Sequence, residues 1–419
     1  IMLSHLLKNL IKKDKNLIQS IATSLENYMR EAIDKEDFAK MKTVYKHTEQ
    51  LLSHSNLLSN SIRSSLSGEL GCIYYYLCNY SKSKELLEIS LSKKNEHSNK
   101  NYNKIAHFGV YLGNVYRRLG DFEKAKELFE QSLEIYKKLP EPHVGMARAY
   151  GYLGIVYESL GNFEKAKALL EESLRLHQKH TKNRIGLAWS LAHLGSVHRN
   201  LGNYDKAKEL YEQSLTVYKT YSENYVGVAW VYGDLGSVYT QLKDYEKAKN
   251  YLEESLTIYS KHFSENHIYV AYALIHLGVF YREVGNYEKA KNLLKKGLVV
   301  IEAAYGKEHV EIGSALKNLG ITYVLEGKLE VAEDIINKAL DIFQKNKHPG
   351  KYEALEILGE IYIKNSMHTS HKGEPTQTEY LKAQAISYYT QALEVGEMHF
   401  PTESPHFVRI KSKIKAISN

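Results

Sequence analysis

The clearest pattern along the chain is a block of helical hydrophobic spacing that recurs every 39 to 42 residues. Each block carries apolar residues three or four positions apart on both sides of a short polar turn, which predicts two helices joined by that turn. A Leu-Gly pair marks the first helix, and these pairs begin at Leu70, Leu112, Leu153, Leu194, Leu235, Leu277, Leu319 and Leu358. Such a regular period predicts an all-α array of stacked helix pairs.

The turn inside each unit separates the first helix, helix A, from the second, helix B. Gly161 is expected to end one helix A in the left-handed conformation, and Asn162 is expected to cap the following helix B. Gly154 on helix A and Ala166 on helix B have almost no side chain, which allows the two helices to approach closely. The same alanine recurs as Ala125, Ala207, Ala248, Ala290 and Ala332.

This combination resembles the tetratricopeptide repeat, whose signature is matched by the Leu-Gly pair, the tyrosine three residues later, the turn and the helix B alanine. The long period is similar to the kinesin-light-chain subtype, whose connector histidine is matched by His143, His267 and His309, although Tyr225 departs from it. The array is also similar to the sensor region of bacterial signalling ATPases of the NB-ARC and STAND type. The resemblance implies a right-handed α-α superhelix of about eight to nine helix–turn–helix units.

The pattern divides the chain into three regions. Residues 1–60 hold an N-terminal helix and a degenerate repeat, residues 61–397 the tandem array, and residues 398–419 a final helix expected to cap it. The basic amphipathic stretch 3–17 is expected to cover the first repeat or to continue from a missing domain, with binding to a membrane surface as the alternative. The polar stretch Asn365–Glu379 is expected to form a loop inside the last unit. Ile1 before Met2 is typical of an excised fragment or of a vector remnant, and the sequence does not decide whether a partner domain lies upstream.

Composition and charge narrow the functional classes. The net charge of +7 is far from the clustered basic excess of a specific nucleic-acid binder. Cys72 and Cys78 are the two cysteines of the sequence, so it contains neither a disulfide framework nor the second cysteine pair that would complete a zinc site. This low cysteine content favours a reducing, cytoplasmic location. No apolar run is long enough to span a membrane. Nucleotide-binding and catalytic motifs are absent from the sequence, so we expect a protein that is not an enzyme and that uses no cofactor or metal.

The candidate binding residues lie on one stripe of helix A. Counted from the repeat glycine, this stripe holds the residues six before (column one), two before (column two), one after and five after, because these positions share a helix face. The resemblance implies that the stripe lines a concave groove. Its members, with two neighbouring arginines, are His107, Tyr111, Asn114, Arg117, Arg118, Arg148, Tyr152, Trp189, His193, Ser196, Arg199, Asn200, Trp230, Asp234, Ser237, Gln241, Tyr272 and His276.

The two tryptophans admit two interpretations. In the first, Trp189 and Trp230 only fill space between helices, as the family's helix A aromatic does. That aromatic falls four residues before the glycine, however, where this chain has Tyr150, Leu191, Tyr232 and Leu274. The tryptophans therefore occupy a different position, which favours the second interpretation, a recognition role in the groove.

The sequence as a whole predicts a non-catalytic module that binds a peptide or protein segment, as the sensor or adaptor part of a larger protein. Two alternatives stay open at this stage: a self-associating structural scaffold, and the regulatory arm of a signalling ATPase whose catalytic domain lies elsewhere. Because Asp234 and Glu158 accompany the arginines of the stripe, the sequence does not fix the charge of the ligand.

Overall fold

The computed structural model describes residues 15–53, 58–92, 102–139, 144–179, 184–221, 225–397 and 405–418. Within these ranges the chain forms nineteen α-helices and no strand. The helices are α1 Lys15–Asp34, α2 Phe38–Leu52, α3 Asn60–Tyr76, α4 Tyr80–Ser92, α5 Tyr102–Arg118, α6 Phe122–Lys137, α7 Val144–Ser159, α8 Phe163–Lys179, α9 Arg184–Asn200, α10 Tyr204–Tyr221, α11 Tyr225–Gln241, α12 Tyr245–His262, α13 Ile268–Glu283, α14 Tyr287–Tyr305, α15 Val310–Glu326, α16 Leu329–Lys345, α17 Lys351–His371, α18 Pro375–Glu397 and α19 Pro405–Ser418. The predicted all-α fold class is confirmed.

The chain divides into two compact units. Unit 1 contains Ile1–Val156, Ala168–Ser190 and Thr216–Asn224, and unit 2 contains Tyr157–Lys167, Leu191–Leu215 and Tyr225–Asn419. In unit 1, α3 packs against α4, and α5 against α6. In unit 2, the pairs are α11 with α12, α13 with α14, α15 with α16, and α17 with α18. Successive pairs also pack against each other within a unit, through α4 with α5, α12 with α13, α14 with α15 and α16 with α17, so these helix pairs stack as the period predicts.

The turns between helices follow the predicted chemistry. Gly161 has φ of 75°, which is the left-handed conformation that glycine adopts without a steric penalty. The Asn162 side chain accepts a hydrogen bond from the Lys165 amide at 3.1 Å and so caps α8. Lys243 occupies the glycine position of another turn and takes the same conformation, with φ of 61°.

The small residues of helices A and B meet as expected in unit 2. A Cβ placed on Gly236 would lie 2.5 Å from Leu252 Cγ and 3.1 Å from the carbonyl oxygen of Ala248. Ala248 itself is fully buried. A side chain at this point of α11 would therefore overfill the contact, because atoms of α12 occupy the space.

The connector histidines act as helix caps where the structure describes them. His267 Nδ1 accepts a hydrogen bond from the Tyr269 amide at 3.3 Å, at the start of α13. His309 makes the same bond to the Glu311 amide at the start of α15. His143 lies outside the described residues.

The end of the array differs from the prediction. Helix α17 continues to His371, and α18 begins at Pro375, so only three residues separate them. The predicted loop over Asn365–Glu379 is therefore wrong. The physical reason is that Gly373 takes φ of 74° in a tight turn, and a proline is well tolerated in the first turn of a helix.

The last helix packs on α18. Phe407 and Ile410 are buried, while Arg409 Nη2 lies 2.7 Å and Lys413 Nζ 2.8 Å from the carboxylate of Glu356 on α17. At the other end of the chain, most of the predicted helix over residues 3–17 lies outside the described residues. None of the helices that the structure describes is long and apolar enough to cross a membrane.

Candidate functional site

In unit 1, column-one residues of the stripe lie on column-two residues of the preceding repeat. The guanidinium carbon of Arg148 is 5.5 Å from the centroid of the Tyr111 ring. Trp189 meets the Tyr152 ring edge-on, with 5.0 Å between centroids. In both pairs the partners are 37 residues apart in sequence. The stripe is therefore continuous from one repeat to the next within this unit.

Unit 2 repeats this arrangement. Trp230 of α11 lies 4.7 Å from the ring centroid of His193 on α9, again 37 residues earlier. Trp189 and Trp230 both keep part of their surface accessible. The two interpretations of the tryptophans are thus not exclusive, because each indole packs against the neighbouring repeat and also faces solvent.

Polar residues of the stripe, together with the neighbouring Glu158, form hydrogen bonds between successive repeats of unit 2. Glu158 Oε1 accepts from Ser196 Oγ at 2.6 Å and from Asn200 Nδ2 at 2.9 Å. Arg199 Nη1 lies 2.5 Å from Asp234 Oδ1. Burial opposes the charged form of Arg199, but nearby acidic groups, Asp234 and Glu158 among them, raise its pKa above the ordinary value. The arginine therefore remains charged and holds Asp234 in place.

A separate polar contact in unit 2 involves a histidine that is expected to be neutral. His276 Nδ1 lies 2.6 Å from Ser237 Oγ. Burial lowers the pKa of His276 from its usual value, which favours the uncharged ring near neutral pH.

Unit 2 also contains a cavity of about 480 Å³, within the size range of small-ligand sites. Helices α9 and α11 contribute six stripe residues to its lining, and the second side is formed by the start of α15 and the turn before α17. The lining residues are Glu158, Ser159, Gly161, Phe163, His193, Ser196, Arg199, Asn200, Trp230, Asp234, Glu311, Ser314, His348, Pro349, Gly350, Tyr352 and Glu353. Helices that are two or more repeats apart in sequence thus face one another across this space.

The cavity lining is acidic, although the whole chain is basic. Four carboxylates (Glu158, Asp234, Glu311 and Glu353) stand against one guanidinium, that of Arg199. Asp234 is paired with Arg199, and Glu353 is paired with Lys317 outside the lining, so the excess negative charge comes from Glu158 and Glu311. Because opposite charges attract more strongly in a partly enclosed space than in bulk water, this lining favours a positively charged group.

The remaining predicted residues lie elsewhere. In unit 1, Arg117 Nε donates to Asn114 Oδ1 at 2.8 Å, and burial together with Arg118 lowers the pKa of Arg117. The ring of His107 is 5.1 Å from that of Tyr111. In unit 2, the hydroxyl of Tyr272 lies 3.1 Å from that of Tyr305, and Gln241 is exposed. None of these residues lines the cavity.

The sequence prediction missed the second side of the cavity. Ser314 and Glu353 stand six residues before Gly320 and Gly359, so they continue column one into two further repeats. Extending the column to the end of the array would have found both. The turn at His348–Gly350 carries no comparable signal in the sequence.

Comparison with known proteins identifies the repeats. A family profile of the tetratricopeptide repeat matches residues 105–179, 186–261 and 269–345, which together are more than half of the chain. A search of curated proteins finds no match.

Solved structures match the fold over most of the chain at low sequence identity. A Rap protein complexed with competence and sporulation factor is 13% identical, with a TM-score of 0.64 over 90% of this chain and 99% of that one. The Rap conjugation gene regulator of plasmid pLS20, in complex with the Phr* peptide, is 15% identical, with a TM-score of 0.53 over 93% and 98%. A STAND signal transduction ATPase with a tetratricopeptide repeat sensor, from Pyrococcus horikoshii, is 19% identical, with a TM-score of 0.48 over 79% and 47%. The family match confirms the prediction from the Leu-Gly period, and the chain belongs to the tetratricopeptide repeat family.

Proposed function

We propose that this protein is a non-catalytic recognition module that binds a short peptide segment in the cavity of unit 2. The observation that carries the proposal is the placement of six stripe residues, from α9 and α11, on one wall of a single cavity that α15 and α17 close from the other side. A segment held there would be contacted by several repeats at once.

The chemistry of the wall suits a peptide. Trp230 offers a partly accessible indole beside His193, and a large rigid aromatic is a typical anchor for a bound side chain. Asn200 and Ser196 supply polar groups of the kind that bind main-chain amides and carbonyls. Two proteins of similar fold, the Rap protein and the pLS20 regulator, were solved in complex with competence and sporulation factor and with the Phr* peptide, respectively, which supports a peptide as ligand here.

The acidic lining adds the charge preference that the sequence leaves open. With four carboxylates and one guanidinium around the cavity, a peptide carrying lysine, arginine or a free amino terminus is favoured over an acidic one. A module of this kind fits the sensor or adaptor role that the sequence indicates.

Selection from a library of short random peptides, using the immobilised 419-residue chain, tests the proposal. Enriched peptides are synthesised, and their affinity is measured by fluorescence anisotropy. We expect enrichment of basic peptides and a loss of about 2 kcal/mol of binding energy, roughly 30-fold in Kd, for Trp230→Ala. Glu311→Gln is expected to weaken basic peptides most at low salt, where charge interactions are least screened.

The matched control is Tyr380→Ala, because Tyr380 is an exposed aromatic of α18 outside the cavity. This variant should bind like the wild type. The proposal is wrong if no peptide is enriched over an unfolded sample of the chain, or if Trp230→Ala binds the selected peptides as tightly as the control does. Enrichment of acidic peptides would overturn the charge preference.

A further inference from the structure

Three side chains with metal-binding atoms meet in unit 1, outside the cavity described above. Glu69 and Cys72 lie three residues apart on α3, so they share one face of that helix. His107 reaches them from α5. One carboxylate oxygen, the Cys72 sulfur and one imidazole nitrogen all lie within 4.8 Å of one another.

Half of the Glu69 carboxylate is already used by the protein. Arg30 donates to Oε1 from Nε at 3.0 Å and from Nη2 at 2.5 Å. The side chain of Glu69 is 0% exposed, and its second oxygen, Oε2, has no hydrogen-bond partner. This oxygen lies 3.9 Å from His107 Nε2. A carboxylate oxygen that is buried without a hydrogen-bond partner destabilises the fold, so the arrangement calls for an explanation.

We propose that Glu69, Cys72 and His107 bind one borderline divalent metal ion, and Zn²⁺ in particular. Thiolate sulfur, imidazole nitrogen and carboxylate oxygen are the donors that Zn²⁺ prefers. Tetrahedral bonds of roughly 2.0–2.3 Å place neighbouring donor atoms roughly 3.3–3.7 Å apart, so the three atoms need to close by at most about 1.5 Å. A water molecule would complete the coordination.

The surroundings allow both the charge and the approach of the ion. Arg30 and Lys104 stand nearby, but each also contacts the carboxylate of Glu26, at 3.2 and 2.6 Å. Binding releases the thiol proton of Cys72 to solvent, so the ion gains a second negative ligand beside Glu69. The side chain of His107 is 17% exposed, whereas Cys72 is fully buried, so the ion can approach from the His107 side.

The prediction that two cysteines cannot complete a zinc site considered cysteine pairs alone. The helix packing of unit 1 instead combines Cys72 with Glu69 of the same helix and with His107, which lies more than thirty residues later in the sequence. This inference does not depend on peptide binding, because none of the three residues lines the cavity of unit 2.

Titration of the reduced full chain with Co²⁺, followed by absorption spectroscopy, tests the site. We expect one ion per chain, visible d–d bands typical of four-coordinate cobalt, and a near-ultraviolet band from thiolate-to-cobalt charge transfer. Added Zn²⁺ should remove all of these bands by competition. Cys72→Ser should lose the near-ultraviolet band, and His107→Gln should weaken Zn²⁺ binding at least about tenfold.

Cys78→Ser is the matched control, since Cys78 is the other cysteine of the chain and does not belong to the cluster. Its spectrum should equal that of the wild type. The proposal is overturned if stoichiometric cobalt gives no charge-transfer band, if the band survives in Cys72→Ser, or if it disappears in Cys78→Ser. Should circular dichroism show that Cys72→Ser is unfolded, His107→Gln decides, and an unchanged Zn²⁺ affinity in that variant overturns the proposal.

Discussion

The free-energy contribution of the close contact between helices A and B can be measured with two glycines of α11. The two positions differ in the space that is available to an added Cβ atom. A Cβ on Gly236 would lie 2.5 Å from Leu252 Cγ, whereas a Cβ on Gly233 would meet nothing closer than Ser255 Oγ at 3.5 Å. Replacing glycine by alanine inside a helix stabilises it by about 1 kcal/mol at either position. Overfilling a packed contact costs about 1–3 kcal/mol, and this cost applies to Gly236 alone.

We therefore expect Gly233→Ala to raise the free energy of unfolding by about 1 kcal/mol. Gly236→Ala should range from neutral to about 2 kcal/mol less stable than the wild type. The difference between the two variants is the informative quantity, because helix propensity contributes equally to both. It should be about 1–3 kcal/mol.

Urea titration followed by circular dichroism gives these free energies, and hydrogen exchange of peptides from α11 and α12 locates the change. A double-mutant cycle adds a direct test. Leu252→Ala alone should cost about 2–5 kcal/mol, but it should cost about 1–3 kcal/mol less in the Gly236→Ala background, where it makes room for the new methyl group. Equal stability of the two alanine variants, or additive effects in the cycle, would show that this glycine is not required for the helix contact.

Two further predictions concern other parts of unit 2. Burial raises the pKa of Glu356, but hydrogen bonds from Arg409 and Lys413 bring this pKa below its ordinary value. The contribution of the Glu356 carboxylate to stability is therefore present above pH ~4.3 and is lost as the pH falls through the pKa of the folded state. The stability difference between wild type and Glu356→Gln, measured by thermal unfolding at several pH values, should shrink as pH falls below that range, and a constant difference would contradict this. At the turn where Lys243 has φ of 61°, Lys243→Gly should stabilise the protein by about 0.5–1 kcal/mol, since the left-handed strain of about 1–2 kcal/mol exceeds the entropic cost of glycine. The reverse change, Gly285→Lys at φ of 81°, should destabilise by a similar amount in urea titrations, and a matching sign for both variants would refute the explanation.

Local features of this fold could be predicted from the sequence because they depend on neighbours within one repeat. The left-handed Gly161 and the cap at Asn162 follow from residue chemistry that acts over a few positions. The prediction of a loop over Asn365–Glu379 was wrong because it relied on local composition alone. Polar composition suggested a break, but a tight turn at Gly373 lets two long helices use almost all of these residues.

The candidate sites depend on contacts between distant parts of the chain, and these were only partly predictable. The stripe of helix A and its neighbouring arginines included Trp230 and Arg199, because helical geometry puts these positions on one face and the tetratricopeptide resemblance implies that this face lines the groove. Which other helices face that stripe depends on the rotation between successive repeats. The position of His348 on the opposite wall could therefore not be predicted from the repeat period. The meeting of Glu69 with His107 likewise depends on packing between different helix pairs.

The 37-residue contacts between column one and column two have a consequence for how such arrays can change. Arg148 packs on Tyr111, and Trp230 packs on His193, so these column-one residues also belong to the packing surface of the repeat before them. A single repeat moved to another position in the array would bring its own column-one residue. That residue would then pack against a different column-two residue in the preceding repeat. New binding specificities are therefore expected to arise by exchange of adjacent repeats together, or by paired substitutions 37 residues apart, because a change on one side alone alters stability and recognition at the same time.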